Sequence, residues 1–221
     1  MTENWRKKMT GTILCIGDSL TEGDYGSEPE GTKNLHPESY PYFLEKYLGT
    51  KVINAGKCGF TSLDYWRRTM KTLDLDGIDV AVIMLGTNGA MTDTLKEDTA
   101  AASYEDYADT GTGRYCSIIE YLIDKSPDTQ ILLCTCPYVD RTRRARHADC
   151  IREANRVILQ IAKKYHLPLL DVEQELGVND CNTRLMQPVD GLHGSYRMYS
   201  RLGTYIGSRI QSLRSFVWPK D

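Results

Sequence analysis

Long hydrophobic runs are missing from this chain of 221 residues. The longest are strand-sized, such as residues 80–85, and none approaches the roughly 20 apolar residues that a membrane-spanning helix requires. Neither sign of charge dominates: 27 basic residues face 30 acidic ones for a formal net charge of −3, so a general nucleic-acid binder is not expected. A secretory leader is not indicated either, because Arg6, Lys7 and Lys8 precede only the short apolar stretch 13–16, against the 7–15 or so residues of a leader core. Internal repeats, low-complexity tracts and domain linkers are absent. So are the phosphate-cradling Gly-x-x-x-x-Gly-Lys-Ser/Thr and Gly-x-Gly-x-x-Gly loops, and the Gly-x-Ser-x-Gly elbow. The seven cysteines are odd in number and scattered. Several lie in apolar runs where free thiols pack as small hydrophobes, a pattern expected in a reducing, cytoplasmic compartment. Cys134-Thr-Cys136 and His147-x-x-Cys150 come nearest to a metal signature, but no second correctly spaced pair follows, and no metal or cofactor is expected.

What is present is a regular alternation. Short runs rich in Val, Ile and Leu at 12–16, 51–54, 79–85, 130–135 and 167–172 alternate with amphipathic helical patterns centred on 40–47, 63–73, 115–122, 151–165 and 198–213. This is the pattern of parallel βαβ units, here one α/β domain over 1–221 with five strands covered on both faces. Residues 1–10 read as an N-terminal extension and 215–221 as a tail whose Phe216, Val217 and Trp218 either form an interface or fold back. Two polar segments, 18–38 and 89–113, are too long for compact connections, and both would leave the carboxyl edge of the sheet, where open α/β folds bind ligands.

At that edge the first strand runs into Gly17-Asp18-Ser19-Leu20-Thr21-Glu22-Gly23, which makes Ser19 a candidate nucleophile. The heptapeptide alone fits equally well an ordinary turn whose Asp and Ser cap the next helix. A serine needs a base, and only His193 among four histidines has an aspartate three residues before it, in Asp190-Gly191-Leu192-His193. That spacing lets the carboxylate accept from one ring nitrogen and leaves the other for the serine. Acyl transfer also needs donors for the developing oxyanion. Gly59, in the turn after the second strand, and Asn88, in Gly86-Thr87-Asn88 after the third, are candidates, although singly they read as a turn glycine and an Asx-turn residue. His36, in the first long loop, and Arg141, in the basic run 141–146, are candidate substrate contacts; His147 reads as part of a basic helix face and His166 as a helix-terminal residue.

Taken together, these four blocks resemble the SGNH, or GDSL-type, hydrolase family in kind and order across nearly the whole chain. The resemblance implies a flavodoxin-like three-layer α/β/α sandwich with a parallel sheet of order 2-1-3-4-5. It also implies Ser19 as nucleophile, His193 as base, Asp190 as its orienter, and an oxyanion hole formed by the N–H groups of Ser19 and Gly59 with the Asn88 amide. One departure is visible: Gly89 stands where the family usually has aspartate after Gly-Thr-Asn, which implies altered loop geometry more than altered chemistry. The expected activity is hydrolysis of short-chain or O-acetyl esters of small polar or carbohydrate molecules, with Tyr104, Tyr107 and Tyr115 available to stack on sugar rings. An acyl-CoA thioesterase, a lysophospholipase and a catalytically silent binding module on the same fold are the alternatives. The expected partner is a small-molecule ester, with neither nucleic acid nor membrane. The acidic residues Asp93, Glu97, Asp98, Glu105, Asp106 and Asp109 read as a lid docked on the basic run; the alternative is that its arginines face the pocket and favour anionic substrates.

Overall fold

The structure, a computed structural model, describes residues 11–27, 32–89, 91 and 103–216, the side chains of 214–216 excepted. The N-terminal extension, the tail beyond 216 and the acidic residues Asp93, Glu97 and Asp98 lie outside the described residues.

Five parallel strands form one sheet of order β2-β1-β3-β4-β5. They are β1 (Thr12–Gly17), β2 (Val52–Gly56), β3 (Ile78–Met84), β4 (Gln130–Cys134) and β5 (Leu169–Leu170). Alternate residues face opposite sides, so each central strand feeds two cores. Leu14, Ile16, Ala81, Ile83, Ile131 and Leu133 face one side, where α3 (Ser62–Arg68), α4 (Gly111–Lys125) and α5 (Ala145–Lys164) bury Tyr65, Trp66, Ile118, Ile119 and Ile158 against them. Ile13, Cys15, Val80, Val82, Leu132 and Cys134 face the other, against α2 (Tyr40–Leu48) and α8 (Tyr196–Phe216). The result is the three-layer arrangement expected from the sequence. No helix among the described residues is long and apolar enough to cross a membrane.

Short helices fill connections that periodicity cannot register: α1 (Ser19–Glu22), α6 (Val172–Glu175) and α7 (Thr183–Met186). The fifth strand is shorter than the apolar run 167–172. Pro168 has no N–H to give a ladder, and the Asp171 side chain accepts from Gln174 N–H to cap α6. The helix expected over 63–73 breaks at Thr69 into a separate 3₁₀ turn (Met70–Thr72). Two helices start earlier than their apolar stripes suggest. α4 begins at Gly111, inside the expected loop 89–113, with the Thr110 side chain capping Gly113 N–H at 3.1 Å. α5 begins at Ala145, which brings its first turn to the carboxyl edge of the sheet.

Beyond β4 the chain is held by an amide rather than by a strand. Asn155 of α5, 2% exposed, accepts from Cys136 N–H at 2.7 Å and donates to Cys136 C=O at 3.0 Å, so its side chain stands in for a neighbouring backbone. Asn155→Leu keeps the approximate volume and strands both groups. It should lower unfolding free energy by about 2–4 kcal/mol, read as a lower urea midpoint at unchanged slope.

Candidate active site

Three turns meet at the carboxyl edge where the strand order reverses, around β1. Gly17 at the end of β1 pairs with Gly56 of β2 on one side and Met84 of β3 on the other, so the chain leaves all three strands at one level. From β1, Asp18 caps α1 by accepting from Leu20 N–H at 3.1 Å, and Ser19 follows as the first helical residue, 4% exposed. From β2, Phe60 N–H bonds to Lys57 C=O at 3.1 Å and closes a turn with Gly59 at φ +76°, a conformation for which a side chain would be strained. Lys57 N–H is held by Gly17 C=O and Cys58 N–H by the Glu22 carboxylate. Among the described residues the Gly59 N–H has no acceptor. From β3 comes Asn88, whose Nδ2 donates to Phe60 C=O at 3.3 Å, fixing the amide while its second N–H stays available. Gly89 accounts for the departure noted in the sequence: a Cβ there would come within 2.6 Å of the Thr61 side chain, the N-cap of α3.

The remaining groups arrive from the turn before α8. Asp190 Oδ1 accepts from Leu192 N–H at 3.0 Å and His193 N–H at 2.9 Å, which leaves Oδ2 for the imidazole. His193 Nδ1–H donates to that oxygen at 2.6 Å, and its Nε2 lies 3.0 Å from Ser19 Oγ, placed to accept the hydroxyl proton. Burial pulls the His193 pKa down, but the hydrogen bond and charge of Asp190, with Asp24 and Asp18 farther off, leave it raised above ordinary imidazole. For Asp190, burial works upward and loses to the bond and charge of His193 and the two backbone N–H groups. Its carboxyl is held well below the usual range. Asp18 is different: burial raises it to about 6, against Thr87, the Leu20 N–H and the nearby imidazole. Ser19, Gly59, Asn88, Asp190 and His193 open onto one pocket of about 290 Å³.

Several expectations need correction. His36 is exposed, bonded to Asn34 and packed on the Tyr25 ring at 4.4 Å, and Arg141 lies over the Tyr138 ring at 5.6 Å; neither lines the pocket. Tyr115 is fully buried in the core, Tyr107 bonds Glu120 and Tyr165, and Tyr104 packs on Trp66 and Tyr121, so these rings pack into the protein rather than line the pocket. Among the described acidic residues, Glu105 and Asp109 do not dock on the basic run. Glu105 pairs with Lys71 at 2.6 Å, and Asp109 with Arg67 and with Arg114 at 3.0 Å, because α3, the 3₁₀ turn after it and α4 offer nearer cations. The basic run turns elsewhere: Arg143 bonds Asp140 and the carbonyls of Gln187 and Pro188, and Arg144 reaches Asp190. Arg144 and His147 do line the pocket, as do Asp24, Lys33 and Cys58. The signal for the first two was available: an earlier start for α5 puts both, three residues apart, on the turn nearest the sheet edge.

Residues 15–201 match the family model of the GDSL-like lipase/acylhydrolase family. The chain belongs to this family. It is therefore a carboxylic-ester hydrolase, as the four blocks implied. No curated protein sequence matches it. Among solved structures it is similar to a lipase/acylhydrolase from Enterococcus faecalis (24% identity, TM-score 0.65, 92% of this chain and 96% of that one). It is also similar to a carbohydrate acetylesterase from Sinorhizobium meliloti (16%, 0.66, 92% and 100%). An inhibitor-bound aryl esterase of M. smegmatis is a third such structure (19%, 0.68, 92% and 100%). At these identities the likeness is one of fold.

A raised imidazole pKa fixes the direction of one measurement. An imidazole that must be neutral to accept a proton becomes competent only as pH rises through its pKa. The acid limb of kcat/KM for an ester should therefore lie above the reference of about 6.5, checked by initial rates between pH 5 and 9.

Proposed function

We propose that this family member hydrolyses short-chain esters, above all O-acetyl esters of small polar or carbohydrate alcohols, through an acyl-enzyme on Ser19. The observation that carries the reading is the unbroken path from Ser19 Oγ to His193 Nε2 at 3.0 Å and from His193 Nδ1 to Asp190 Oδ2 at 2.6 Å, facing the donors at Gly59 and Asn88 across one pocket. Ser19 Oγ attacks the ester carbonyl as its proton passes to Nε2. Negative charge develops on the former carbonyl oxygen and is met by the N–H groups of Ser19 and Gly59 and the Asn88 amide. The imidazolium, stabilised by the Asp190 carboxylate, returns the proton to the leaving alcohol. Water then repeats the sequence on the acyl-serine, with His193 again taking the proton, and releases the acid.

Pocket size and lining support the substrate class. At about 290 Å³ the space is at the small end for ligand sites. Among the described residues its walls carry Asp24, Lys33, Asn88, Arg144 and His147, with Leu192 as the one large aliphatic residue. That lining suits an acetyl group on a polar alcohol and gives a long acyl chain no apolar path, which disfavours the lysophospholipase and long-chain thioesterase alternatives. Similarity to a carbohydrate acetylesterase agrees with this preference. Seven unpaired cysteines support a reducing, cytoplasmic location.

Ser19→Ala and His193→Ala should each abolish hydrolysis of p-nitrophenyl acetate with thermal melts nearly unchanged, and Asp190→Asn should leave a small residual rate. In the same assay Asn88→Ala should lower kcat by about 10²–10³-fold with KM little changed. A Ser19→Ala variant that keeps most of its rate would refute the mechanism. Compared side by side, p-nitrophenyl acetate and an acetylated xylo-oligosaccharide should be turned over far better than p-nitrophenyl octanoate; a preference for octanoate would refute the substrate class.

A further inference from the structure

The basic run 141–146 is only partly accounted for by the site described above. Two of its arginines grip the loop that carries Asp190. Arg143 Nη2 and Nη1 donate to the carbonyls of Gln187 at 2.7 Å and Pro188 at 3.0 Å, and its Nε is held by the Asp140 carboxylate at 2.8 Å. Asp140 in turn donates its backbone N–H to Gly191 C=O at 2.9 Å and takes the Thr183 hydroxyl at 2.9 Å. Arg144 goes one step further and reaches the acid itself. Its Nε donates to Asp190 C=O at 2.9 Å, and its Nη2 lies 3.3 Å from Asp190 Oδ2, the oxygen that also accepts from His193 Nδ1. The two side chains are 12% and 5% exposed.

We propose that Arg144 is a positioning residue: its guanidinium fixes the Asp190 carboxylate, and through it the imidazole that faces Ser19. The inference rests on the Ser19 reading given above. The planar fork matters because one guanidinium spans the main-chain oxygen and the carboxylate of the same residue, which an ammonium cannot do in one geometry. Rotation of the carboxylate away from Nδ1 would break the Arg144 contact as well as the imidazole bond, so the orientation is held from two sides.

The charge acts in a definite direction. Around His193 stand Asp190 on its own turn, Asp18 at the end of β1, Asp24 after α1, Lys33 across the pocket, and Arg144 with His147 at the start of α5. The carboxylates favour imidazolium. Arg144 shares their nearest oxygen and offsets part of that pull, so the base is released at a lower pH than Asp190 alone would allow. His147 is pushed down by burial, then by the charges of Arg144 and Arg146.

The test compares wild type, Ser19→Ala, Arg144→Gln and Arg144→Lys in kcat/KM for p-nitrophenyl acetate and in the rate of fluorophosphonate labelling, both across pH. Arg144→Gln should lower kcat by about ten- to a hundredfold and move the acid limb upward by about half a unit to one unit. Arg144→Lys should lose rate with KM unchanged while its limb stays at the wild-type position, since charge survives and the fork does not. The upward shift should recur when Arg144→Gln is compared with wild type in a His147→Gln background; a shift that vanishes there belongs to His147 and overturns the proposal. An unmoved limb in Arg144→Gln, or a wild-type kcat in either variant, overturns it too. Should Arg144→Gln fail to fold, Arg144→Lys decides alone by its kcat. Wild-type labelling that does not depend on Ser19 overturns the proposed function and this role with it, whereas Ser19-dependent labelling with an Arg144-independent limb overturns this role alone.

Discussion

At 5% side-chain exposure an ionised carboxylate is stable only if its lone pairs are used, and the site is arranged around how Asp190 uses them. Oδ1 takes the N–H groups of Leu192 and His193, which folds the turn back on its own aspartate and sets the His193 backbone. Oδ2 is then left pointing at Nδ1, so the ring can present only Nε2 to Ser19. One residue thus determines the turn, the tautomer and, in the proposed mechanism, the direction of proton transfer. The loop contacts from Asp140, Arg143 and Arg144 follow from the same need, because a turn outside any helix or strand has no ladder to hold it.

The other half of the site is a consequence of parallel pairing. Because β1, β2 and β3 run the same way in register, the turns that follow them emerge together. Ser19, Gly59 and Asn88 are 40 and 29 positions apart in the chain, yet they share a pocket because each is within a few residues of a strand end. Cross-links among the turns then remove slack: Lys57 N–H to Gly17 C=O, Cys58 N–H to Glu22, Asn88 Nδ2 to Phe60 C=O. A site assembled from three strand ends is rigid by inheritance from the sheet, and rigidity is what the proposed oxyanion hole requires.

The sequence made legible those features whose causes are local. Alternating apolar runs located all five strands, and the Asp-x-x-His spacing singles out Asp190 and His193, since three residues within one turn leave little freedom. Where a cause lies far along the chain, the reading stopped short. Tyr104, Tyr107 and Tyr115 are polar enough for a binding loop and apolar enough for a core, and only the packing of α3 against α4 decides for the core. Arg144 reads only as part of a basic run and His147 as part of a basic helix face, because the apolar stripe of α5 begins at Ala148 and Ile151, after the helix itself. Their use depends on a loop 46 residues downstream, which no spacing rule reaches. The acidic residues Glu105 and Asp109 were matched to arginines by charge alone, and proximity chose Lys71, Arg67 and Arg114 instead.

The account turns on a covalent bond between Ser19 and the acyl group. Acid quench of the enzyme during turnover of an acetyl ester, followed by proteolysis and mass spectrometry, detects that bond directly. The account predicts an acetyl group on the peptide containing Ser19, present during turnover and gone once substrate is exhausted. Sustained turnover with that peptide unmodified at every quench time, or with the acetyl group carried on another residue, would contradict it.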